Sequence, residues 1–545
     1  MAKKNNKKYI FVVGGVMSGV GKGITTSSIA KIMQSRGFSV TALKVDPYIN
    51  VDAGTMNPTE HGEVFVLADG DETDQDMGNY ERFIQTTLPS ENYMTTGRVY
   101  QSVIERERKG GYKGKCVEVV PHIPLEIISR IEKAGKSADA EVVITEIGGT
   151  IGEYQNVLFL EAARMLKTKR PNDVLFVLVS YVPFPSKVGE MKTKPTQYAS
   201  RTLNGAGIQA DIVVARSEVP MDEKRKEKIA WSCSVDKNSV ISAPDVESIY
   251  HVPLNFEKDN LSNIILKKLN LRARKRNMDD WRKFTHKIDT ATKTVKIGIV
   301  GKYFETGDFV LSDAYISVIE AIKHASYQNG CKPELSWLDS AVYENDKNKL
   351  KELKEYDGIV VPGGFGSRGI EGKINVAGYC RENKIPYFGL CYGLQIAVIE
   401  FARNVAGIKD ATSPEINENG KSLVIDILPE QKEKLKKKDF GGSMRLGSYP
   451  AEIINGTIAK KAYKKSEILE RHRHRYEVNP EYIKQLEDAG IIFSGMSPDK
   501  TLMEIMELPQ KTHPFFLATQ FHPEFQSAPL TPHPLFMAFI KAAKK

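Results

Sequence analysis

The sequence lacks paired cysteines and long apolar runs. Its five cysteines are far apart and form no C-x-x-C motif, which excludes a disulfide framework and a zinc-ligand pattern and favours a reducing, cytoplasmic setting. No apolar run approaches the roughly 20 residues of a membrane-spanning helix. The basic N-terminus precedes an apolar run that is too short for a signal peptide, so we expect no membrane partner.

The net charge is only modestly positive. The 545 residues contain 77 Lys and Arg against 68 Asp and Glu, a balance of +9. The positive residues are dispersed or lie in solvated runs, which does not favour nucleic-acid binding. Small substrates that carry several phosphates would explain the surplus equally well. At roughly 100 to 200 residues per domain, the length predicts two to four domains.

Two series of short apolar runs alternate with helical patterns. This alternation is typical of parallel sheets that are covered by helices on both faces, so the fold class is α/β, with two α/β domains. A charged stretch that is poor in apolar periodicity separates the series. We predict a first domain over 1–269, a linker over 270–294 and a second domain over 295–545.

In the second domain, the run "FGLCYGLQ" places Cys391 between a predicted strand and a predicted helix. Gly389 and Gly393 flank it, as in the G-x-S-x-G nucleophile elbow, and they tolerate the sharp turn that exposes the sulfur. The positive end of the helix favours the thiolate form. We therefore predict a nucleophilic cysteine here and buried, inert ones elsewhere.

A thiolate needs a base, an orienting group and an oxyanion hole. "ATQFHPEF" supplies His522 and Glu524, whose side chains share one face if this segment is extended. Gly363 and Gly364 end another predicted strand, where their amides could point at a carbonyl oxygen. Together these motifs resemble the class I glutamine amidotransferases.

That resemblance implies that Cys391, His522 and Glu524 hydrolyse the amide of glutamine through a thioester. Without it, the segment around Arg475 ("ERHRHRYEV") reads as a solvated strand, a basic patch or a metal cluster. An arginine contact to the α-carboxylate of glutamine is chemically sensible. The residues that the resemblance assigns to glutamine are Gly364, Tyr392, Gly393, Leu394, Gln395, Glu415 and Arg475.

The first domain opens with "GGVMSGVGKG", a glycine-rich loop between a strand and a helix. Backbone amides of such a loop can converge on a phosphate, and Lys22 adds a point charge. The spacing departs from the Walker pattern, because Gly23 stands where a P-loop has the Ser or Thr that binds magnesium. On the loop alone, a glycine-rich turn without a ligand stays open as an alternative.

Acidic residues follow the second strand and end a later one. Mg²⁺ prefers such hard oxygen ligands, and our candidates are Asp76 and Glu146. By themselves, acid-rich loops are more often solvated turns. Lys44 lies on the second strand and is a further candidate for phosphate contact.

The series GGVMSGVGKG, LKVDPYINVDAGTMNP, HGEVFV, ETDQD, EIGGTIGE, GEMKTKPTQ and GGSMRLG resembles the CTP synthase family over nearly the whole chain. The resemblance implies a first domain like dethiobiotin synthetase and a ligase that aminates UTP to CTP with ATP and glutamine. It implies Mg²⁺ and no organic cofactor. It assigns to ATP the residues Gly19, Val20, Gly21, Lys22, Gly23, Ile24, Lys44, Asp76, Asp245 and Val246. It assigns to UTP or CTP the residues Ser18, Glu153, Tyr154, Gln155, Lys192, Thr193, Lys194, Pro195, Thr196, Gln197 and Lys228.

The same resemblance implies regulation and assembly. GTP would activate glutamine hydrolysis near Arg368 and Glu371, CTP would inhibit by feedback, and His61 and Val64 would lie along an ammonia passage. By sequence alone, His61 could equally be a structural histidine. A homotetramer is expected, with filaments as an option. One departure from the family pattern is Gln155 in place of a glutamate, which predicts altered inhibition by CTP.

Two other interpretations stay open at this stage. The first is a fused amide synthase of the cobyrinic acid type, which also joins a dethiobiotin-synthetase-like domain to a glutaminase. The second is a nucleotide-sensing or filament-forming scaffold without activity. The run KTKPTQ and the complete set of Cys391, His522 and Glu524 weigh against the first, and the same intact catalytic residues weigh against the second.

Overall fold

The computed structural model describes residues 7–187, 189–301, 305–306, 309–310, 312–364, 369–427 and 444–544, with the backbone alone at 58–59, 305–306, 309–310 and 312. The chain folds into two compact units. The first comprises Met1–Asp52 and Asp76–Thr285, and the second comprises Ala53–Gln75 and His286–Lys545.

The strands are numbered in chain order. They are β1 (Lys8–Gly15), β2 (Val40–Asp46), β3 (Val64–Val66), β4 (Glu72–Asp74), β5 (Tyr93–Thr95), β6 (Val142–Ile147), β7 (Val174–Tyr181), β8 (Ile212–Ser217), β9 (Val240–Pro244), β10 (Lys293–Gly301), β11 (Glu305–Thr306), β12 (Phe309–Val310), β13 (Cys331–Asp339), β14 (Gly358–Val361), β15 (Tyr387–Leu390), β16 (Ala411–Thr412), β17 (Ser422–Leu423), β18 (Ile425–Ile427), β19 (Arg445–Ile453), β20 (Glu467–His474), β21 (Tyr476–Val478), β22 (Ile492–Met496), β23 (Met503–Glu507) and β24 (Phe516–Thr519).

The α-helices are referred to by their bounds. They span Lys22–Ser35, Pro58–His61, Asp76–Ile84, Thr96–Arg108, Val119–Ser137, Val157–Lys169, Lys194–Gly205, Glu223–Cys233, Val252–Lys258, Leu261–Lys268, Asp279–Thr290, Ile316–Gln328, Ser340–Asn345, Ile370–Asn383, Tyr392–Asn404, Ile458–Tyr463, Pro480–Asp488 and Pro534–Ala543. Among the residues that the structure describes, no helix is long and apolar enough to cross a membrane.

The first unit is built on a seven-stranded sheet in the order β5-β2-β6-β1-β7-β8-β9. All neighbouring strands are parallel, as the alternation of apolar runs and helices predicts. β1 lies in the middle and every one of its residues is buried. Because ligands bind at the carboxyl ends of parallel strands, the glycine-rich loop after β1 is well placed for a ligand.

The second unit contains a nine-stranded mixed sheet in the order β13-β10-β14-β15-β24-β23-β22-β19-β20. The strands from β13 to β24 are parallel, and those from β24 to β20 are antiparallel. β14 and β15 are buried along their whole length. Both predicted α/β sheets are therefore present, and the fold class is confirmed.

The segment Ala53–Gln75 belongs to the second unit although the first unit flanks it in sequence. It forms the antiparallel pair β3–β4. Backbone hydrogen bonds fasten it to the rest of the second unit, including Glu63 N to Asp313 O at 3.0 Å and Ser448 N to Ala68 O at 2.9 Å. The predicted linker contains the helix Asp279–Thr290 and the start of β10. The predicted domain boundaries stay a prediction.

Candidate active site

The predicted nucleophile lies in a strained turn of the second unit. Cys391 joins β15 to the helix Tyr392–Asn404 and has φ 52° and ψ −97°, which is unfavourable for a residue with a side chain. A Cβ on Gly393 would lie 2.2 Å from the carbonyl oxygen of Val361, and one on Gly389 would lie 2.6 Å from that of Gly393. Glycine is therefore required on both sides of the cysteine, as the motif predicts.

His522 and Glu524 form a close pair. Nδ1 of His522 lies 2.6 Å from Oε1 of Glu524. Nε2 of His522 makes no hydrogen bond to nitrogen or oxygen of the described residues, which leaves it to interact with the Cys391 sulfur. The condition of an extended segment is not met, because Pro523–Gln526 forms a 3₁₀ helix. The tight turn still brings the two side chains together, since it folds Glu524 back onto the histidine.

The charge environment favours protonated His522. Burial alone would lower the pKa of His522, but the negative charges of Glu524 and Cys391 outweigh it and raise the pKa to about 10. A protonated His522 would stabilise the thiolate that attacks a substrate. The site thus has a nucleophile, a proton carrier and an orienting carboxylate.

The oxyanion candidates follow β14. Gly363 lies against the catalytic pair, because a Cβ there would be 3.1 Å from Cε1 of His522 and 3.8 Å from Cβ of Cys391. Gly363 and Gly364 both line the cavity that contains the thiol. Small residues at this point leave room for a substrate carbonyl next to the sulfur.

The thiol opens into a cavity of about 230 Å³ within the second unit. The cavity contains most of the residues that we predicted for glutamine. Gly393 and Leu394 do not line it, and both are buried behind the nucleophile. The predicted residues that line it are Val64, Gly363, Gly364, Cys391, Tyr392, Gln395, Glu415, Arg475, His522 and Glu524.

Several lining residues were missed. Arg473 and His474 lie at the end of β20, where the alternating run "RHRHR" points arginines and histidines to opposite faces. That alternation was visible in the sequence, but the partners of the two faces were not. Glu63 hydrogen-bonds the start of the helix Ile316–Gln328 through Ser317. The missed lining residues are Glu63, Ala314, Tyr315, Val318, Pro362, Arg473, His474, Tyr476 and Phe525.

Gln395 has a fixed orientation in the cavity. Its Nε2 donates to the carbonyl oxygen of Tyr476 at 3.1 Å, and Nδ1 of His474 lies 3.2 Å from the same oxygen. With Nε2 engaged, Oε1 of Gln395 is the end available to accept a hydrogen bond from an amide or ammonium group. Arg475 and Glu415 also line the cavity. The positive charge of Arg475 is opposite to that of an amino acid's carboxylate, and the negative charge of Glu415 is opposite to that of its ammonium group.

In the first unit, Lys22 begins the helix that follows the glycine-rich loop. Its side chain folds back over the end of β1, because a Cβ on Gly14 would lie 2.9 Å from Nζ. Lys22 is buried, and this burial lowers its pKa. An anion bound above the loop would interact with the charge of Lys22, whose side chain already lies in position.

Lys44, Asp76 and Glu146 form a buried cluster. Nζ of Lys44 lies 2.5 Å from Asp76 Oδ2 and 3.1 Å from Glu146 Oε1. Lys44 and Glu146 are register partners on β2 and β6, so the parallel sheet itself brings them together. Burial raises the pKa of Glu146, whereas the Lys44 charge overcomes burial and lowers the pKa of Asp76.

The two carboxylates fit a magnesium ion by chemistry. Their oxygens converge on one cation, the Lys44 ammonium, so the position already favours positive charge. Tyr80 donates a hydrogen bond to the other oxygen of Glu146 and holds that carboxylate in place. No group of three or more His, Cys, Asp or Glu side chains suited to a metal is found in the described parts of the chain. A metal here would therefore take its remaining ligands from phosphate and water.

Gly23 explains the departure from the Walker pattern. A Cβ at this position would lie 1.9 Å from Oδ1 of Asp76 and 2.5 Å from its Cγ. The carboxylate thus occupies the space that the side chain of a P-loop Ser or Thr would need. Asp76 is held there by Lys44 and by Asn79 Nδ2, which donates to Oδ1 at 3.2 Å.

A second cavity in the first unit measures about 180 Å³. It brings the glycine-rich loop together with Asp245 and Val246, which are distant in sequence. The resemblance assigns both parts to one ligand, ATP. Arg216 was missed, although it bonds Asp245 at 2.8 Å. The residues that line this cavity are Gly21, Ile24, Thr25, Arg216, Ala243, Pro244, Asp245, Val246, Ile249, Val252, Asn255 and Phe256.

The residues predicted for UTP range from exposed to buried. Ser18 is exposed in the loop, as is the ATP candidate Gly19, and Tyr154 is 98% exposed, whereas Thr193 and Thr196 are buried. Gln155 Nε2 donates to Glu153 Oε2 at 3.1 Å. The remaining candidates lie as follows: Val20 is buried in the loop, Lys192 pairs with Glu190, Thr193 precedes the helix that contains Lys194, Pro195, Thr196 and Gln197, and Lys228 is exposed on the helix Glu223–Cys233.

The regulatory candidates are only partly described. Arg368 lies outside the described residues. Glu371 forms a bidentate ion pair with Arg403, with both distances at 2.9 Å. His61 ends the short helix Pro58–His61 and is exposed, whereas Val64 lines the thiol cavity.

Comparisons with known proteins cover both units. Residues 8–271 match the family described as CTP synthase N-terminus, and residues 310–542 match the family described as Glutamine amidotransferase class-I. A CTP synthase of Methanocaldococcus jannaschii is 49% identical over 542 residues, which are 98% of each chain. A CTP synthase of Carboxydothermus hydrogenoformans is 51% identical over 539 residues, which are 99% of each chain.

A solved structure described as the glutaminase domain of Trypanosoma brucei CTPS with bound acivicin is 39% identical, covers 46% of this chain and 93% of its own, and has a TM-score of 0.42. The two full-length relatives carry the assignment, because about half of the residues agree along almost the entire chain. Their sequences extend over the glycine-rich loop, the Lys44 cluster and the thiol site. The chain therefore belongs to the CTP synthase family.

Proposed function

We propose that this protein converts UTP to CTP with ATP and with ammonia released from glutamine. The observation that carries the proposal is the presence, in one chain, of a complete thiol site and of a phosphate-type site. The thiol site consists of Cys391, His522 and Glu524, and the phosphate-type site is built around Lys22 and Lys44. The family assignment favours this reaction over a cobyrinic acid type of amide synthase.

In the thiol site, the Cys391 sulfur attacks the side-chain carbonyl carbon of glutamine. The amides near Gly363 and Gly364 stabilise the oxyanion, and His522 gives its proton to the leaving nitrogen, so that ammonia departs and a thioester remains. Water then attacks the thioester with His522 as base, which yields glutamate and the free thiol. Glu524 keeps the imidazole oriented and offsets its charge, as its 2.6 Å contact supports.

Binding of glutamine in the cavity is supported by its polar lining. Arg475 would pair with the α-carboxylate, and Glu415 would pair with the α-ammonium group. Gln395 would accept a hydrogen bond through its fixed Oε1. Tyr392, Gly393 and Leu394 begin the helix after the nucleophile and shape the wall behind the substrate amide.

In the first unit, ATP would place its phosphates on the loop Gly19–Ile24 and its adenine in the cavity of Asp245 and Val246. Lys22 and Lys44 would face the reacting phosphates. The oxygen at position 4 of uracil is a poor leaving group, so ATP phosphorylates it. Ammonia then attacks the C4 atom and displaces inorganic phosphate, which gives CTP. Charge accumulates on the transferred phosphoryl group, and the two lysines can stabilise it.

Asp76 and Glu146 would hold Mg²⁺, because their oxygens already converge on a cation. When bound there, the ion would neutralise charge on the phosphates. Asn79 and Tyr80 keep the two carboxylates in place through hydrogen bonds. The ammonium of Lys44 would have to give up part of its contact with them and turn to the substrate.

UTP, and CTP as an inhibitor, would contact the surface set that begins with Ser18 and includes Gln155, the KTKPTQ run and Lys228. Lys192 and Lys228 both contribute to lowering the pKa of Glu190, Lys192 mainly through its hydrogen bond. Both lysines therefore lie near one negative charge, which supports a common site for an anion. A homotetramer is part of the proposal as well. GTP activation, an ammonia passage past His61 and Val64, and filament formation are further parts of the proposal.

The test compares Cys391→Ala with Cys380→Ala. Cys380 is the matched control, because it is a buried cysteine of the same unit whose pKa is raised by burial. The wild type should form CTP from UTP and ATP with either glutamine or ammonia. Cys391→Ala should lose only the glutamine-dependent reaction, whereas Cys380→Ala should keep both. No CTP from ammonia in the wild type would refute the synthase function, and loss of both reactions in Cys391→Ala would refute the division of labour.

A further inference from the structure

A buried ion pair joins the segment Ala53–Gln75 to β20 in the second unit. Nε of Arg473 donates to Oε1 of Glu72 at 2.8 Å, and the side chains are 11% and 3% exposed. We propose that Glu72, Arg473 and the neighbouring Arg471 are positioning residues, which fix the catalytic Cys391 and His522 and make glutamine hydrolysis depend on this segment. The inference rests on the glutaminase function proposed above.

The backbones of the two arginines contact the catalytic residues. The Cys391 thiol donates to the carbonyl oxygen of Arg473 at 3.6 Å, and the backbone N–H of His522 donates to the carbonyl oxygen of Arg471 at 2.8 Å. Two alternate residues of one strand therefore locate the nucleophile and the proton carrier. Any displacement of this end of β20 moves both of them.

The side chains of the same two arginines contact the segment. The Arg473 side chain pairs with Glu72, and Nη1 of Arg471 donates to the carbonyl oxygen of Val66 at 3.1 Å. The Arg471 guanidinium also lies 5.4 Å from the ring centre of Phe65. Each arginine thus links the segment, through its side chain, to a catalytic residue, through its carbonyl group.

The Glu72 carboxylate fits closely into the segment. A Cβ on Gly54 would lie 2.2 Å from Oε2 of Glu72, so the turn at Gly54 must lack a side chain. Ala53 N donates to the Glu72 carbonyl oxygen at 3.0 Å, and NH2 of Arg473 lies 3.5 Å from the carbonyl oxygen of Gly54. The Glu72 carboxylate is bonded by Arg473 and packed against the turn at Gly54, so it resists reorientation, as a positioning contact requires.

The segment also packs on the catalytic turn. Phe65 contacts Phe525 edge to face with ring centres 5.0 Å apart, and Phe525 stacks on His522 at 5.0 Å. These ring contacts give the segment a second route, besides the two arginines, by which it positions His522.

The test uses Glu72→Gln and Arg473→Met, with Arg473→Lys as the conservative variant. Glu400→Gln is the matched control, because Glu400 forms an equally buried ion pair with Arg381 at 2.9 Å in the same unit, away from β20. Three rates are measured in the full-length protein. They are glutamine hydrolysis, CTP formation from ammonia, and alkylation of Cys391 by chloroacetamide.

We expect kcat/KM for glutamine to fall about tenfold or more in Glu72→Gln and Arg473→Met, because misplaced catalytic groups are costly. Arg473→Lys should recover part of it. Ammonia-dependent synthesis should persist, which shows that the variants are folded, and the alkylation rate of Cys391 should change. If Glu72→Gln matches Glu400→Gln in hydrolysis and alkylation, the inference is wrong. If the wild type forms no CTP from ammonia, the proposed synthase function is refuted instead.

Discussion

Gly23→Ser would restore the residue that an ordinary phosphate-binding loop has after its lysine, and we expect it to damage this site. The added Cβ would lie 1.9 Å from Oδ1 of Asp76, which is shorter than the contacts that real Cβ atoms make. The serine is fixed on a helix, so the Asp76 side chain has to move by more than 1 Å, by comparison with the ~3.4 Å of an ordinary van der Waals contact. Its 2.5 Å contact with Lys44 is then lost.

The cost can be estimated from the ion pair. Breaking a fully buried pair costs about 3–5 kcal/mol. The Asp76 side chain is 20% exposed, so solvent reduces the loss of stability to about 1–3 kcal/mol. Catalysis should suffer more, since a shift of about 1 Å in a catalytic group lowers the rate by about 100-fold.

The assay is CTP formation from ammonia, because it does not involve the thiol site. Gly205→Ser is the control, since Gly205 ends a helix of the same unit and a Cβ there meets no atom within 4 Å. Gly23→Ser should lose about 100-fold in this reaction and keep glutamine hydrolysis, and Gly205→Ser should keep both. Near-normal synthesis in Gly23→Ser would refute the view that Asp76 takes the place of the P-loop hydroxyl.

Three further changes probe the two sites. Gly363→Ala should lower glutamine hydrolysis by about tenfold or more and spare ammonia-dependent synthesis, because its Cβ would lie 3.1 Å from Cε1 of His522; equal losses in both reactions would contradict this. The raised pKa of His522 should stabilise the fold below pH 6.5, and this stabilisation should be lost as the pH rises through about 10. The unfolding free energies of the wild type and of His522→Gln should therefore converge over that pH range. If the two free energies instead run parallel with pH, the charged pair is refuted. Gln155→Glu would place a second carboxylate beside Glu153 and should change inhibition by CTP, which is measured by CTP titration; an unchanged inhibition curve rejects the role of Gln155.

Much of the fold could be predicted from local patterns. Continuous apolar strands such as β1, β6 and β7 are buried on both faces, which is what their lack of alternation predicts. The strand-to-helix turn at Cys391 could also be predicted, because the need for glycine at 389 and 393 is a local steric requirement. The prediction of the family from these motifs is confirmed by the full-length relatives.

The position of the segment Ala53–Gln75 could not be predicted in the same way. Its strands β3 and β4 have three residues each, and no local pattern tells which unit they join. Their partners Arg471 and Arg473 lie some 400 positions away, as the separations of 405 and 401 residues for two of their hydrogen bonds show. Such contacts depend on the tertiary fold, and the run "RHRHR" alone left a solvated strand, a basic patch and a metal cluster open.

Gly23 shows how a local departure from a motif can have a nonlocal cause. A P-loop joins its phosphate-binding amides and its metal-binding hydroxyl in one continuous stretch of chain. Here the carboxylate of Asp76 fills the place of the hydroxyl, and Asp76 begins a different helix. Lys44 pairs with both Asp76 and Glu146, and Lys44 and Glu146 lie on neighbouring strands, so the position of this charged oxygen depends on three elements. The glycine is therefore a consequence of where the acid lies.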